Sequence, residues 1–285
     1  MSRFVHQQPQ YPDLHGQFRK SYHMEMVADC ARTDAIFAAL QQVLTPETVF
    51  CELGCGSGVF SVHAAARCRK VYAVELDEKT AQIAQENFQR STQRDRIQFI
   101  LGDAMEVNLP EPVDVVLAEM MSIWTIEEPQ VSVANRAIRE LLRPGGRMLP
   151  SRIVNLIELG HYPFRLHEIE MRGVTPLFTG IAAPVLLTER RVFKVLDFTS
   201  PVDLDLGGQL GLVALNSGKI NCAVLSSYVQ MGPRSAFSSS DTLMPRTVVP
   251  LQEPIDVEAG QVVQVRVAAR ARSDMGESVF VVESS

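Results

Sequence analysis

Val49-Phe-Cys-Glu-Leu-Gly-Cys-Gly-Ser-Gly-Val-Phe60 is the stretch that decides how this chain is read. A short apolar run ends in an acid, Glu52, and then in three glycines, Gly54, Gly56 and Gly58. That order predicts a buried parallel strand, a tight turn and the start of a helix. Glycine suits the turn because a Cβ would obstruct both a positive-φ backbone and the close approach of a ligand to it. A second short strand, Val71-Tyr-Ala-Val-Glu75, also ends in a carboxylate. Glu75 follows Gly58 by 17 residues, about where a ribose-binding acid is expected in a dinucleotide-type βαβ unit. A third apolar run, Ile97 to Leu101, leads into Gly102-Asp103-Ala104. A glycine-rich turn alone also fits a unit that binds some other nucleotide.

Composition narrows the field. The 285 residues are enough for one large or two modest domains. A net charge of −6 argues against nucleic acid or an acidic membrane as partner and suits cationic ones. No apolar run is long enough to span a bilayer, and the first residues lack a signal-peptide core. Five cysteines without a paired framework fit a reducing cytoplasm. Cys51 and Cys55 flank the glycine turn but find no second pair, so no metal site is expected.

Glu52 just before a Gly-x-Gly-x-Gly turn, with Glu75 and Gly102-Asp103-Ala104, resembles the class I S-adenosylmethionine-dependent methyltransferases. The resemblance implies an α/β fold and S-adenosylmethionine as cofactor. It implies that Glu52, Gly54, Cys55, Gly56 and Gly58 cradle the methionine part, that Glu75 takes the ribose, and that Leu76 is a further cofactor contact. Asp103, Ala104 and Met105 would flank the adenine, with Glu106 a further candidate.

The entry segment narrows the resemblance. His23, Met26, Asp29, Arg32 and Thr33 match the His-x-x-Met-x-x-Asp-x-x-Arg-Thr pattern of the protein arginine methyltransferases. In that family the arginine pairs with the cofactor's carboxylate and the methionine packs near its sulfonium; Tyr22 and His23 are carried over as cofactor contacts. A guanidinium grips a carboxylate as a fork, so Arg32 suits that role. Ile36, Phe37, Leu40 and Leu44 have helical spacing, with Thr33 or Asp34 as the cap. Helices are also expected over Val59–Cys68, Lys79–Gln93 and Val131–Leu142.

The fourth strand, Val113 to Leu117, delivers Ala118-Glu119-Met120-Met121-Ser122-Ile123-Trp124-Thr125-Ile126-Glu127-Glu128. In open α/β sheets substrates meet cofactors beyond the carboxyl ends of strands at the switch point. Arginine methyltransferases place two glutamates nine residues apart here, opening as Glu-x-Met; Glu119, Met121 and Glu128 match. A guanidinium is a poor nucleophile with a pKa above about 12. Two carboxylates would draw its charge toward the nitrogens they hold and aim the third. The catalytic pair is therefore Glu119 and Glu128, with Glu119 also beside the cofactor and Glu127 a neighbour. Trp124 either walls the acceptor pocket or pins the loop.

After the turn Arg143-Pro144-Gly145-Gly146 and Pro150, short β-rich runs replace helical periodicity. The fold class is α/β: a Rossmann-like, doubly wound methyltransferase domain with an N-terminal helical lid (1–150), followed by an all-β barrel- or sandwich-like domain (151–285). Where the family returns a Thr-His-Trp loop to the site, this chain has Thr242-Leu243-Met244, and only Thr242 agrees. With Met121 and Trp124, Thr242 completes the substrate-side candidates. The expected acceptor is an arginine in a protein or peptide. The family also implies a homodimer, although Gly160–Pro184, where its dimer arm sits, is short. A small guanidino or amine metabolite on the same scaffold, or a non-catalytic protein keeping the fold, stays open.

Overall fold

The computed structural model describes residues 25–284. The expected first strand is β1, Val49–Leu53, buried along its whole length. With β2 (Lys70–Glu75), β3 (Ile97–Leu101), β4 (Val113–Ala118) and β5 (Leu142–Leu149) it forms a parallel sheet in the order β3-β2-β1-β4-β5. The order reverses between β1 and β4, so the glycine turn after β1 and Glu119 after β4 leave the sheet as neighbours.

Helix α1, Cys30–Val43, enters the sheet from the N-terminal side. Its cap is Asp29, whose carboxylate accepts the Arg32 N–H at 3.4 Å, and not Thr33 or Asp34. Thr33 lies inside the helix, its hydroxyl donating to the carbonyls of Asp29 and Cys30. Helix α2, Val59–Ala65, stops three residues short of the expected end, and α3 runs Glu78–Arg90 behind an Asp77 cap. Helix α4, Gln130–Arg136, continues as a π-helical turn over Ala137–Leu141 into β5.

Beyond Leu149 the pairing becomes antiparallel. The strands β6 (Arg152–His161), β7 (Arg191–Asp197), β8 (Gly208–Val213), β9 (Gly218–Gly232), β10 (Ser235–Ser238), β11 (Thr247–Val257), β12 (Val262–Ala268) and β13 (Val279–Ser284) build it. A seven-stranded sheet centres on β6, β9 and β11, and a separate three-stranded sheet is ordered β8-β12-β13. The barrel-or-sandwich expectation thus resolves into two antiparallel sheets. Their inward residues, among them Ile157, Leu225, Val265 and Phe280, join the core that also contains Phe50 and Leu117 of the parallel sheet. Strand β11 carries no continuous strand pattern in the sequence because Pro250 and Pro254 break it. A register shift between Ile220 and Cys222 of β9 accommodates it.

Gly58 shows how tightly the turn is packed. Its φ is +79°, and a Cβ there would lie 2.3 Å from the Phe88 ring of α3. Gly58→Ala should therefore cost about 2–5 kcal/mol, combining left-handed strain and overpacking. Urea unfolding checks this, and Phe88→Leu in the same chain should recover part of the loss by removing the clash alone.

Candidate active site

The glycine turn has φ values of +72° at Gly54, +55° at Gly56 and +79° at Gly58. Glu75 holds it from the next strand: Oε2 accepts the Gly56 N–H at 2.8 Å, and Oε1 accepts those of Leu76 and Asp77 at 2.9 and 3.0 Å. A carboxylate has about four lone-pair positions, so one remains for a further donor. Glu52 is buried and accepts from the Ser61 hydroxyl at 2.5 Å. Burial pushes its carboxyl up to about 8, which keeps it protonated at neutral pH. Cys55 is buried too, and burial raises its thiol well above the ordinary range.

Arg32 is the organising charge of the neighbouring loop, only 3% exposed. Its Nη1 lies 3.3 and 3.4 Å from the two Glu119 oxygens and 3.4 Å from the Met26 sulfur. Its Nε is 3.4 Å from Asp29 Oδ2, and the guanidinium stands 6.0 Å over the Phe237 ring. Asp29 also accepts the Leu243 N–H at 2.7 Å, so the Thr242–Met244 loop does return to the entry helix, as expected, though by a backbone contact. Met244 is buried and Leu243 is 41% exposed. Thr242 donates to the Ser238 carbonyl and accepts from the Met244 N–H. Phe237 gives no signal in sequence, since its contact crosses more than 200 residues.

The loop after β4 brings Glu128 back toward Glu119. Burial first, and then the Glu119 charge, push the Glu128 carboxyl up to about 7, against a lowering by Arg32. Its backbone N–H reaches the Ser122 hydroxyl at 3.3 Å. Met120 N–H donates to Gln130 Oε1 at 2.9 Å, fixing the chain just past Glu119. Met121 is buried in the core.

Trp124 does not wall a pocket. It is 0% exposed, at φ 58°, stacked on Phe193 with ring centroids 4.9 Å apart. Its indole N–H lies 3.0 Å from the Leu156 carbonyl and 3.2 Å from that of Ser226, so the ring pins the loop to the antiparallel sheet. The substrate-binding assignment of Trp124 is corrected accordingly: the antiparallel sheet supplied a better burial site than the pocket.

On the other flank Leu76 is 60% and Leu101 52% exposed at the carboxyl ends of β2 and β3. Asp103 Oδ1 accepts the Met105 N–H at 2.7 Å, Ala104 is buried and Glu106 is exposed. Bared apolar side chains beside an acid suit a planar base, and a cradle of positive-φ glycines suits a close-lying chain. These residues fit S-adenosylmethionine: Arg32 for its carboxylate, Glu75 for the ribose, Leu76 and Asp103–Met105 for the adenine. Tyr22 and His23 lie outside the described residues. Among the described residues no group of three His, Cys, Asp or Glu side chains could hold a metal ion.

The family model described as "Methyltransferase domain" matches residues 50–146. The chain carries a methyltransferase domain that uses S-adenosylmethionine. It resembles the protein arginine methyltransferases. It is 31% identical to probable protein arginine N-methyltransferase 6 of Arabidopsis thaliana, over 48% of this chain and 32% of that protein. The match thus spans about a third of the length of that relative. The uncharacterised protein MJ1452 of Methanocaldococcus jannaschii is 28% identical over 82% of this chain and 87% of its own. In three dimensions the methyltransferase aligns with the Trypanosoma brucei PRMT1 enzyme-prozyme complex at TM-score 0.78 and 20% identity, over 93% of this chain and 98% of that one. It aligns with Arabidopsis thaliana protein arginine methyltransferase 10 at 0.76 and 17%, with the same coverage. Those two likenesses establish the fold.

The burial of Trp124, the chain's one tryptophan, makes the loop observable. Trp124→Phe should cost about 1–3 kcal/mol in urea unfolding, because two buried carbonyls lose their donor. The native protein's fluorescence should resist iodide quenching until it unfolds.

Proposed function

We propose that this methyltransferase transfers its methyl group to a guanidinium nitrogen of arginine, with Glu119 and Glu128 holding the acceptor. The observation that carries the reading is the convergence of Arg32, Glu119 and Glu128 at the carboxyl end of β4, beside the glycine turn.

Charge supports it. Among the described residues, Asp29, Glu119 and Glu128 face a single guanidinium, Arg32, in a largely dehydrated place. S-adenosylmethionine, when bound, supplies an electrophilic methyl on a positively charged sulfur. Arg32 answers a carboxylate, which leaves the acidic excess for a cationic acceptor. The two glutamates grip the acceptor's outer nitrogens, pull its positive charge toward them and orient the remaining nitrogen; positioning of this kind supplies roughly 7–11 kcal/mol in favourable cases. A methylated guanidinium nitrogen must shed one proton. Glu128, pushed up by burial and by Glu119, is the carboxylate best suited to take it at its Oε atoms.

Residues 1–150 then serve as the cofactor domain and 151–285 as the acceptor-side domain. A homodimer in the cytoplasm belongs to the same reading, tested by light scattering; the Trypanosoma brucei neighbour is itself a heterotetrameric complex. All five cysteines are free thiols, which suits a reducing compartment.

A second reading rests on the Thr242–Met244 loop. It is seated by Asp29 through a backbone N–H, with no side chain from Leu243 or Met244 replacing a histidine–tryptophan pair. A pocket so changed suits a small guanidino or amine compound. Mass-spectrometric methyl transfer to arginine-rich peptides, free arginine, other guanidino compounds and amines separates the two: methylated peptide arginine supports the first, product on small molecules alone the second.

Two predictions follow from the glutamate pair. Glu128→Gln should abolish transfer while leaving S-adenosylhomocysteine affinity within about two-fold, and normal turnover by that variant overturns the mechanism. The acceptor kcat/KM of the native enzyme should fall as pH drops through about 7, because protonation of Glu128 removes the charge that grips the cation.

A further inference from the structure

Arg136, in the last turn of α4, is buried although it is charged. Its Nη1 donates to the Ala104 carbonyl at 3.0 Å and its Nη2 to the Val107 carbonyl at 2.5 Å. Its Nε pairs with Glu140 at 3.2 Å. A buried guanidinium is tolerated only when its donors are satisfied, and this one spends two of its nitrogens on backbone oxygens of a single turn. That turn begins at Asp103 and includes Met105.

Beside the clamp lies an open cavity of about 600 Å³ whose lining includes Met105, Glu106, Ser132, Leu204 and Arg136 itself. The helix that carries the clamp is itself fixed. At its start Gln130 accepts the Met120 N–H at 2.9 Å. Near its end Asn135 exchanges two hydrogen bonds with the Val202 backbone, at 2.7 and 2.8 Å.

We propose that Arg136 is a positioning residue for the adenine side of the cofactor site, acting through the Ala104 and Val107 carbonyls on Asp103–Met105. The proposal rests on the reading that Asp103–Met105 flank the adenine. Losing the clamp frees the turn, so the adenine end of the site loses its preformed shape while Glu119 and Glu128 keep theirs.

The test is calorimetric titration of the full chain with S-adenosylhomocysteine and with 5′-methylthioadenosine, which keeps the adenosine but lacks the amino-acid part. Wild type, Arg136→Met, Arg136→Lys and Val224→Ala are compared, each with its melting temperature. Arg136→Met should weaken both ligands at least ten-fold and by equal factors, with Arg136→Lys intermediate. Val224→Ala, in a separate core cluster of the antiparallel sheet, should lower the melting temperature yet bind both ligands within two-fold of wild type. In turnover, Arg136→Met should raise KM for S-adenosylmethionine and leave kcat at saturating cofactor within two-fold.

Wild-type affinity in Arg136→Met overturns the proposal. So does a loss confined to S-adenosylhomocysteine, which would place the effect at the amino-acid end, or an equal loss in Val224→Ala, which would make it a general effect of stability. Should Arg136→Met fail to fold, Arg136→Lys decides: a clear loss on both ligands supports the clamp, and unchanged affinity overturns it. A wild-type chain that binds neither ligand overturns the cofactor reading itself, and this proposal with it.

Discussion

One buried cation sets the spacing between the three parts of this molecule. Arg32 sits on the entry helix, meets Glu119 from the parallel sheet and stands over Phe237 from the antiparallel one. Asp29, its neighbour one helical turn back, takes the Leu243 N–H as well. A guanidinium drawn out of water is sustained only by partners held in good geometry, and removing one partner of a buried pair costs about 3–5 kcal/mol. The partners here come from separate elements, so the ion pairs hold helix, sheet and loop in a single arrangement. The shape of the site is thus a consequence of satisfying one charge.

Backbone topology does the rest. Because β1 and β4 are adjacent, the glycine turn and Glu119 emerge side by side without any loop needing to be long. The loop after β4 is then folded back by groups that have no chemistry to perform. Trp124 anchors it in the far sheet, Ser122 caps its return, and Gln130 catches it at Met120. Two residues in succession, Trp124 and Thr125, take positive φ with no glycine to ease it. Such strain persists only where the surroundings over-determine the backbone, and the stacked, doubly hydrogen-bonded indole is what over-determines it.

What was legible in the sequence follows from this division. The glycine turn, Glu75 and the strand ends were readable because local backbone geometry demands particular residue types at fixed spacing. Most of the longer antiparallel strands were readable as β-rich runs, but not the four-residue β10, nor β11, where Pro250 and Pro254 interrupt the pattern and a register shift in its partner β9 accommodates them. The cap of α1 was misplaced by a few residues because Thr33 and Asp34 are as good cap formers as Asp29 when tertiary partners are unseen. Asp29 wins because its carboxylate meets both Arg32 and Leu243. Phe237 and Arg136 carried no local signal at all. One acts across the whole chain, and the other donates to carbonyls, which every sequence has. Trp124 was readable as important and undecidable as to role, since burial depends on Phe193 and Leu156 arriving from elsewhere.

The same site shows why its acidity runs against stability. Folding raises the Glu52 carboxyl to about 8 and the Glu128 carboxyl to about 7, both chiefly by burial. A raised carboxyl means the folded chain holds the proton more tightly than the unfolded one. Between the ordinary carboxylate range and the raised value, each of these residues therefore makes the fold less stable as pH rises. The two differ in what relieves them. Glu52 stays neutral because burial outweighs the lowering by its Ser61 hydroxyl partner, so it adds no charge beside the glycine turn. Glu128 faces Glu119 and has only Arg32 to lower it. A cation placed between the two glutamates lowers the Glu128 carboxyl and removes the repulsion at once, so occupancy restores what folding gave up. The site is least stable when empty and ionised; under the proposed function, that imbalance adds to its affinity for a cationic acceptor.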